Sequence, residues 1–534
     1  MVISIASGGT LNFAARPIAG DLKVKTSERS ERYNSPSLSE PRGVTLRTSL
    51  KTLRVAVGMV LFLTAPALAA DSPAPAAGTT PAALSQPAIP DTAPGRMLRA
   101  WIDVFNRGDR DALRRFDETS FPSRTKNLDG DMGFREATGG FDLRKVEDSS
   151  PTQLTALVQE RDSDQFGRLV LSTDPANPNV ILSLGVRAIP RPAEFPIVHL
   201  APAELGTTAD QLAQKAAAAD QFAGAVLIAK NGHPVFSKAY GLADRDRRVP
   251  NTLDTRFRMG SMNKMFTAVA VMQLVQTGKL RLDAPIGTYL PAYPNKEVAS
   301  KVTIAQLLSH TGGTGDIFGP EFESHRLQLR TVQDYINLYG ARAPEFEPGT
   351  KFAYSNYGFV LLGAIIEKVS GASYYDFVNR RVYEPAGMTA SGSEPESVAV
   401  PNRAVGYTEQ DGAWKSAADT LPYRGSPAGG GYSTVGDMLK FANALQGNRL
   451  LDAQHTALLT TVQPGAKNPT YAYGFGSFLK NGTQCFGHNG GAPGMNGDLE
   501  ICPANGYVVV ALANVDPPAA SRLSDFITNR LPER

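Results

Sequence analysis

The feature that most constrains the fold is where the strand-like segments of residues 201–534 fall. They lie at the two ends, with helices between. Residues 222–229 and 234–240 read as two apolar strands joined by a tight Asn231-Gly232 turn. Strands return at 484–487, 498–502 and 507–514, and a helix follows over about 519–530. The middle is helical, with segments at 261–277, 304–308 and 357–369. Strands split in this way imply an antiparallel sheet closed by pairing the first segment with the last. The helices must cover it, so the expected class is α+β, a sheet flanked by helices with a helical subdomain.

Composition excludes several functions. Of 534 residues, 54 are basic and 51 acidic, a formal net charge of +3, and this near balance argues against a nucleic-acid partner. Two cysteines, Cys485 and Cys502, are too few for a disulfide-built scaffold or a cysteine zinc site. They fall on neighbouring strand-like segments, so a disulfide and two buried thiols are both open readings. The six histidines are scattered with no His-x-x-x-His pair, and no Gly-rich phosphate loop is visible. The expectation is therefore no cofactor and no metal.

Four regions are expected along the chain. Residues 1–70 form an extension and export signal. Within it a basic flank (Lys51, Arg54), a short apolar run from Val55 to Leu63 and an Ala67-Leu68-Ala69 end match a secretory signal over 51–69, cleaved after Ala69. About fifty polar residues precede that signal. Either they are a long basic leader or initiation belongs near Val44, and the second reading is preferred. Residues 71–94 are a Pro- and Ala-rich linker. No stable membrane span remains after cleavage, so the protein is expected in the periplasm or outside the cell. Residues 95–196 form a small α+β domain, opening with Met97, Leu98, Trp101, Val104 and Phe105 at helical spacing and closed by Gly108. The stretch Trp101 to Asp109 resembles the first helix of nuclear-transport-factor-two-like domains, which are cone-like. The plainer expectation is that Asp103 and Asp109 are solvated and core fills the cone. Residues 201–534 are the second domain.

The chemistry starts at Ser261-Met262-Asn263-Lys264, at the head of the most apolar helix-length run. Residues i and i+3 share a helix face, so the Ser261 hydroxyl can meet the Lys264 amine. A serine beside an amine in apolar surroundings is an activated nucleophile. The spacing recurs at Ser123-x-x-Lys126, in a polar loop, and at Ser477-x-x-Lys480, on a strand where the two side chains face apart. Only Ser261 has the helix.

Three further segments matter: Tyr354-Ser355-Asn356 ahead of the 357–369 helix, Ser426-Pro427-Ala428-Gly429-Gly430-Gly431, and His488-Asn489-Gly490-Gly491 at the end of a strand. With Ser261-x-x-Lys264 and Leu307-Leu308-Ser309-His310-Thr311-Gly312-Gly313, they closely resemble the serine β-lactamase and penicillin-binding superfamily. The similarity is to its class C β-lactamase, DD-peptidase and esterase branch, over about 205–530. The resemblance implies that Ser261 forms an acyl-enzyme, with Lys264 and Tyr354 as a coupled acid–base pair. Asn356 would hold Lys264 and a substrate amide. The N–H groups of Ser261 and Gly491 would receive the oxyanion, and His488 and Gly490 would line the substrate site. For Lys264 to act as base near neutrality, its pKa must fall by about three units, a cost of about 4 kcal/mol. Taken singly, Tyr354 would be packing, Asn356 a helix cap, and His488 a turn histidine. His310 is expected to support a turn under the site.

The superfamily's third motif more often carries Lys where this chain has His488. A neutral imidazole grips a substrate carboxylate poorly at pH 7. The function expected is an exported serine hydrolase acting on small esters, amides or D-amino-acid peptides. The alternatives are a β-lactamase, which His488 disfavours, and a non-catalytic ligand or wall-peptide sensor.

Overall fold

The computed structural model describes residues 2–3, 87–410 and 412–533. The expected export signal over 51–69 and the linker up to residue 86 lie outside the described residues. The described chain divides into two compact units, the smaller holding 87–158 and 167–188 and the larger holding 159–166 and 189–533.

In the smaller unit three helices, Ala93–Arg107, Arg110–Ser120 and Leu128–Thr138, precede four strands, Phe141–Ser149, Gln153–Glu160, Phe166–Thr173 and Ile181–Ile189. The strands are hydrogen-bonded side by side in that order, with Val2–Ile3 antiparallel to the last. The first helix starts earlier than expected, because the Thr92 side chain accepts from the Gly95 N–H and caps it. Gly108, at φ 67°, ends it. Trp101 stacks on Phe105 at 4.7 Å within a core that also holds Leu98, Phe121 and Phe141. Asp103 is exposed and pairs with Arg107, while Asp109 caps the second helix. Both are spent on the surface and on local structure.

The larger unit is built on a six-stranded antiparallel sheet. Its order is Gly476–Lys480, Thr483–Ala492, Met495–Cys502, Tyr507–Ala513, Gly224–Lys230, His233–Tyr240. The expected closure is present: Val509 lies opposite Ile228 where the 507–513 and 224–230 strands pair. Asn231 (φ 50°) and Gly232 (φ 81°) make the tight turn of the first hairpin. Two cores flank the sheet. One packs helices Pro202–Ala218 and Ala519–Thr528 on one face; the other joins the opposite face to the helical middle. At its centre, helix Asn263–Gln276 is buried on every side from Asn263 to Leu274. A helix apolar all round is an interior helix, and this one carries the lysine of the site. Cys485 and Cys502, on adjacent strands, are joined as a disulfide. Among the described residues, no helix is long and apolar enough to cross a membrane.

Candidate active site

Ser261 does not sit in the α-helix as expected. It occupies a one-turn 3-10 segment, Gly260–Met262, immediately before helix Asn263–Gln276. Gly260 sets this geometry. Its φ is +55°, and a Cβ there would lie 2.7 Å from the Gly491 nitrogen. Gly490 is tighter still, since a Cβ on it would meet the Met259 oxygen at 2.0 Å and the Ser261 nitrogen at 2.7 Å. Only glycine lets the Thr483–Ala492 strand press this closely on the serine turn. From the other side, the Met259 N–H donates to the Gly431 carbonyl (3.2 Å), and the Gly430 N–H donates to the Gly260 carbonyl (3.1 Å).

Lys264 is fully buried, and its Nζ lies 3.2 Å from Ser261 Oγ and 2.7 Å from Asn356 Oδ1, and against the Ala428 carbonyl. Burial pushes the amine down to about 7, against the opposing pull of the Asp316 carboxylate. This is the fall that general-base work requires. Geometry then assigns the lone pair. A neutral amine has two N–H bonds, and the Asn356 and Ala428 oxygens can only accept. Both N–H groups go to them, leaving the lone pair facing the Ser261 hydroxyl.

Asn356 is oriented by a residue that sequence reasoning missed. Its backbone N–H and its Nδ2 both donate to the Asp316 carboxylate, at 3.1 and 3.2 Å, which turns Oδ1 toward Lys264. Asp316 follows the Thr311-Gly312-Gly313 stretch in a loop, where nothing separates it from a solvated carboxylate. Nor is Asn356 the helix cap. Ser355 Oγ accepts from the Gly358 N–H at 2.9 Å and caps helix Asn356–Ser370, leaving the Asn356 amide free for Lys264.

Tyr354 is half-buried, and its hydroxyl hydrogen-bonds Ser261. Desolvation drives this phenol well above its ordinary 10, outweighing that hydrogen bond. It therefore holds its proton near neutrality, so of the two candidate bases only Lys264 is free to accept one. Lys264 lies 4.7 Å from the centre of the Tyr354 ring.

His488 was expected on the substrate-binding wall. It is 5% exposed, and both ring nitrogens are occupied within the protein. Nε2 is 3.0 Å from the Tyr471 hydroxyl, and Nδ1 meets the Asn489 carbonyl. Burial, reinforced by Lys264, lowers the imidazole to about 3. His310, at φ 56° in its turn, has its ring centre 4.2 Å from that of Tyr354, tilted by 36°, and its Nδ1 accepts from the Ser355 N–H at 3.1 Å. Its Nε2 reaches the same Tyr471 hydroxyl at 3.0 Å. Tyr471 was not foreseen, since one aromatic in a loop carries no signal. The other two Ser-x-x-Lys matches form no such pair. Ser123 lies in an exposed turn, and Lys480 is held by Glu500 and Asp525.

The chain that carries these residues has relatives among known proteins. The Beta-lactamase family model matches residues 209–531. Penicillin-binding protein 4 of Amycolatopsis lactamdurans is 31% identical over 294 residues, covering 52% of this chain and 76% of that protein. A solved penicillin binding protein from Bacillus halodurans is similar at 33% identity and TM-score 0.53, covering 58% of this chain and 97% of the other. A solved D-stereospecific amidohydrolase from Streptomyces sp. gives 29% identity and TM-score 0.52, with 59% and 96% covered. With the motifs, the split sheet and the serine–lysine geometry in agreement, the chain belongs to the β-lactamase family, a superfamily that includes penicillin-binding proteins.

Proposed function

We propose that this protein is an exported serine hydrolase that works through an acyl-enzyme on small esters, amides or D-amino-acid peptides. The observation that carries the reading is the Lys264 amine, fully buried, lowered to about 7 and aimed at Ser261 Oγ 3.2 Å away. The Ser261 proton passes to Lys264 as Oγ bonds to the acyl carbon. The N–H groups of Ser261 and Gly491 receive the negative charge on the acyl oxygen. As the intermediate collapses, the leaving group takes a proton from the Tyr354 hydroxyl, and Lys264 returns one to Tyr354. Water then attacks the ester by the reverse route and frees Ser261. Asn356 holds the amine in register and offers its surroundings to a substrate amide.

Export is supported by the signal-like 51–69 segment and by the Cys485–Cys502 disulfide, a bond typical of oxidising compartments. The likeness to a D-stereospecific amidohydrolase supports amides and D-residues as the substrate class. The smaller unit, three helices followed by four strands, is read as an accessory module of nuclear-transport-factor-two-like type.

One experiment tests the reading. The purified protein is treated with a fluorophosphonate, a labelled penicillin and p-nitrophenyl esters, alongside Ser261→Ala. Covalent label and ester turnover that both vanish in Ser261→Ala are expected. Label that survives the substitution, or no label on the wild type, overturns the assignment. Label without turnover points to a ligand sensor, and rapid penicillin turnover to a β-lactamase.

A further inference from the structure

The strand next to Gly490 and Gly491 carries a cluster of charges that the mechanism does not use. Along Met495–Cys502 the side chains alternate between the two faces of the sheet. Leu499 and Ile501 join the core of the helical middle, so Asp498, Glu500 and Cys502 face helix Ala519–Thr528. That helix adds Asp525 and the fully buried Ser524, whose hydroxyl lies beside Asp498. Strand Gly476–Lys480 adds Lys480, whose amine reaches Glu500 Oε1 at 3.1 Å and also pairs with Asp525. One carboxylate oxygen from each of Asp498, Glu500 and Asp525 lies within 4.8 Å of the other two. Asp498 and Glu500 are only 4% and 2% exposed.

Three carboxylates against one ammonium leave two negative charges over, and two of the three acids are cut off from water. A proton does not settle this at Glu500. Its Oε1 already accepts from the Lys480 amine, so the proton would have to sit on Oε2. Oε2 is buried and has no hydrogen-bond partner among the described residues, so an O–H there would lack an acceptor. The two oxygens share one carbon, so Oε2 opens into the same cluster. A cation could take it as a ligand and collect oxygens of Asp498 and Asp525 across the gap. The Ser524 hydroxyl is a neutral fourth oxygen beside them.

We propose that this cluster is a structural site for one divalent cation, calcium by size, which pins helix Ala519–Thr528 and strand Gly476–Lys480 to the sheet. Asp498, Glu500 and Asp525 are its ligands, and an all-oxygen set suits a hard ion. Two oxygens on opposite sides of calcium stand about 4.6–5.2 Å apart, against about 4.0–4.2 Å for magnesium. A spread of up to 4.8 Å fits the larger ion. One doubly charged ion also cancels the two charges that Lys480 leaves over. The ion takes no part in acyl transfer. The histidine and cysteine spacings that speak against a zinc site have no bearing on a site made of carboxylates.

Neither measurement that tests this depends on turnover. The purified protein is stripped with EDTA, and calcium binding is read by titration calorimetry and by melting temperature. One calcium per chain is expected, with Kd about 10⁻⁴–10⁻³ M. Calcium chloride at about 10 mM should raise Tm by about 2–5 °C over sodium chloride of equal ionic strength. Magnesium should bind about tenfold more weakly. Glu500→Gln keeps an oxygen for Lys480, and Asp525→Asn changes a side chain that is half exposed, so neither disturbs the packing of the sheet. Both should lose the Tm rise. Lys480→Met removes a competing positive charge and should tighten calcium binding by about tenfold or more. No calcium binding by the wild type, a Tm rise kept in both carboxylate variants, magnesium bound as tightly as calcium, or weaker binding in Lys480→Met overturns the proposal.

Discussion

If Lys264 is the base, the acylation rate must titrate with one buried amine. At a pKa of about 7, roughly one amine in eleven is neutral at pH 6 and about ten in eleven at pH 8. kcat/KM for an uncharged ester should therefore fall about tenfold between those pH values and be flat above pH 8. A lysine at its ordinary value of 10.5 would be neutral at pH 7 in only about three molecules in ten thousand. The difference, roughly 3.5 units, corresponds to about 5 kcal/mol of disfavoured ammonium. No imidazole of the site can counterfeit the limb, because His310 and His488 are both held neutral far below it. The same depression is a stability cost. Between about pH 7 and 10.5 the unfolded chain binds a proton that the folded chain lacks, so the cost grows as pH falls and is complete below 7. Stopped-flow acylation with a neutral p-nitrophenyl ester, from pH 5 to 10, reads the limb directly. Lys264→Met should abolish it and lower the plateau by about 10²–10⁴-fold. A midpoint above pH 9, or a flat profile with Lys264→Met fully active, would refute the reasoning.

Three other outcomes follow from the geometry. Asn356→Asp sets a carboxylate about where an amide oxygen now lies 2.7 Å from the amine, raising its pKa by about 1–3 units. The limb should move up by that amount, with activity recovering near pH 10; an unmoved midpoint counts against the Lys264 assignment. Gly490→Ala drives a Cβ to 2.0 Å from the Met259 oxygen, so fluorophosphonate labelling of Ser261 should be lost, and normal labelling would mean the strand stands farther off. Replacing both Cys485 and Cys502 with Ser opens a loop spanning 17 residues, which should cost about 3 kcal/mol in urea titration. No change in stability would mean the bond is not formed.

Much of the architecture was legible because it follows from periodicity and turn chemistry. The Asn231-Gly232 hairpin, the interior helix behind Ser261 and the pairing of early with late strands all announce themselves in apolar pattern. Helix Leu128–Thr138 and strand Phe141–Ser149 did not. The helix contains Gly130 and Gly133, poor helix formers, and the strand's Asp-Leu-Arg-Lys-Val-Glu-Asp run buries little. At the site, Ser261, Lys264, Tyr354, Asn356, His488, Gly490 and Gly491 were legible as motif positions, but their hydrogen-bond partners were not. Asp316 and the Ala428 carbonyl act through orientation, which leaves no mark on residue type. The bonding of His488 depends on Tyr471, 17 residues away along the chain, and spacing arguments do not reach across such a loop.

The closure of the sheet also governs when the protein can first act. Ser261 sits early in the larger unit, whereas Gly490 and Gly491, which press on its turn, belong to a strand that is ordered through Met495–Cys502 and Tyr507–Ala513 onto Gly224–Lys230. A chain emerging from the ribosome or crossing a membrane carries its serine and lysine long before it carries that wall. The close packing of Gly490 and Gly491 on the serine turn is thus complete only when the sheet is. On the mechanism proposed above, Ser261 has no oxyanion partner until the sheet is complete.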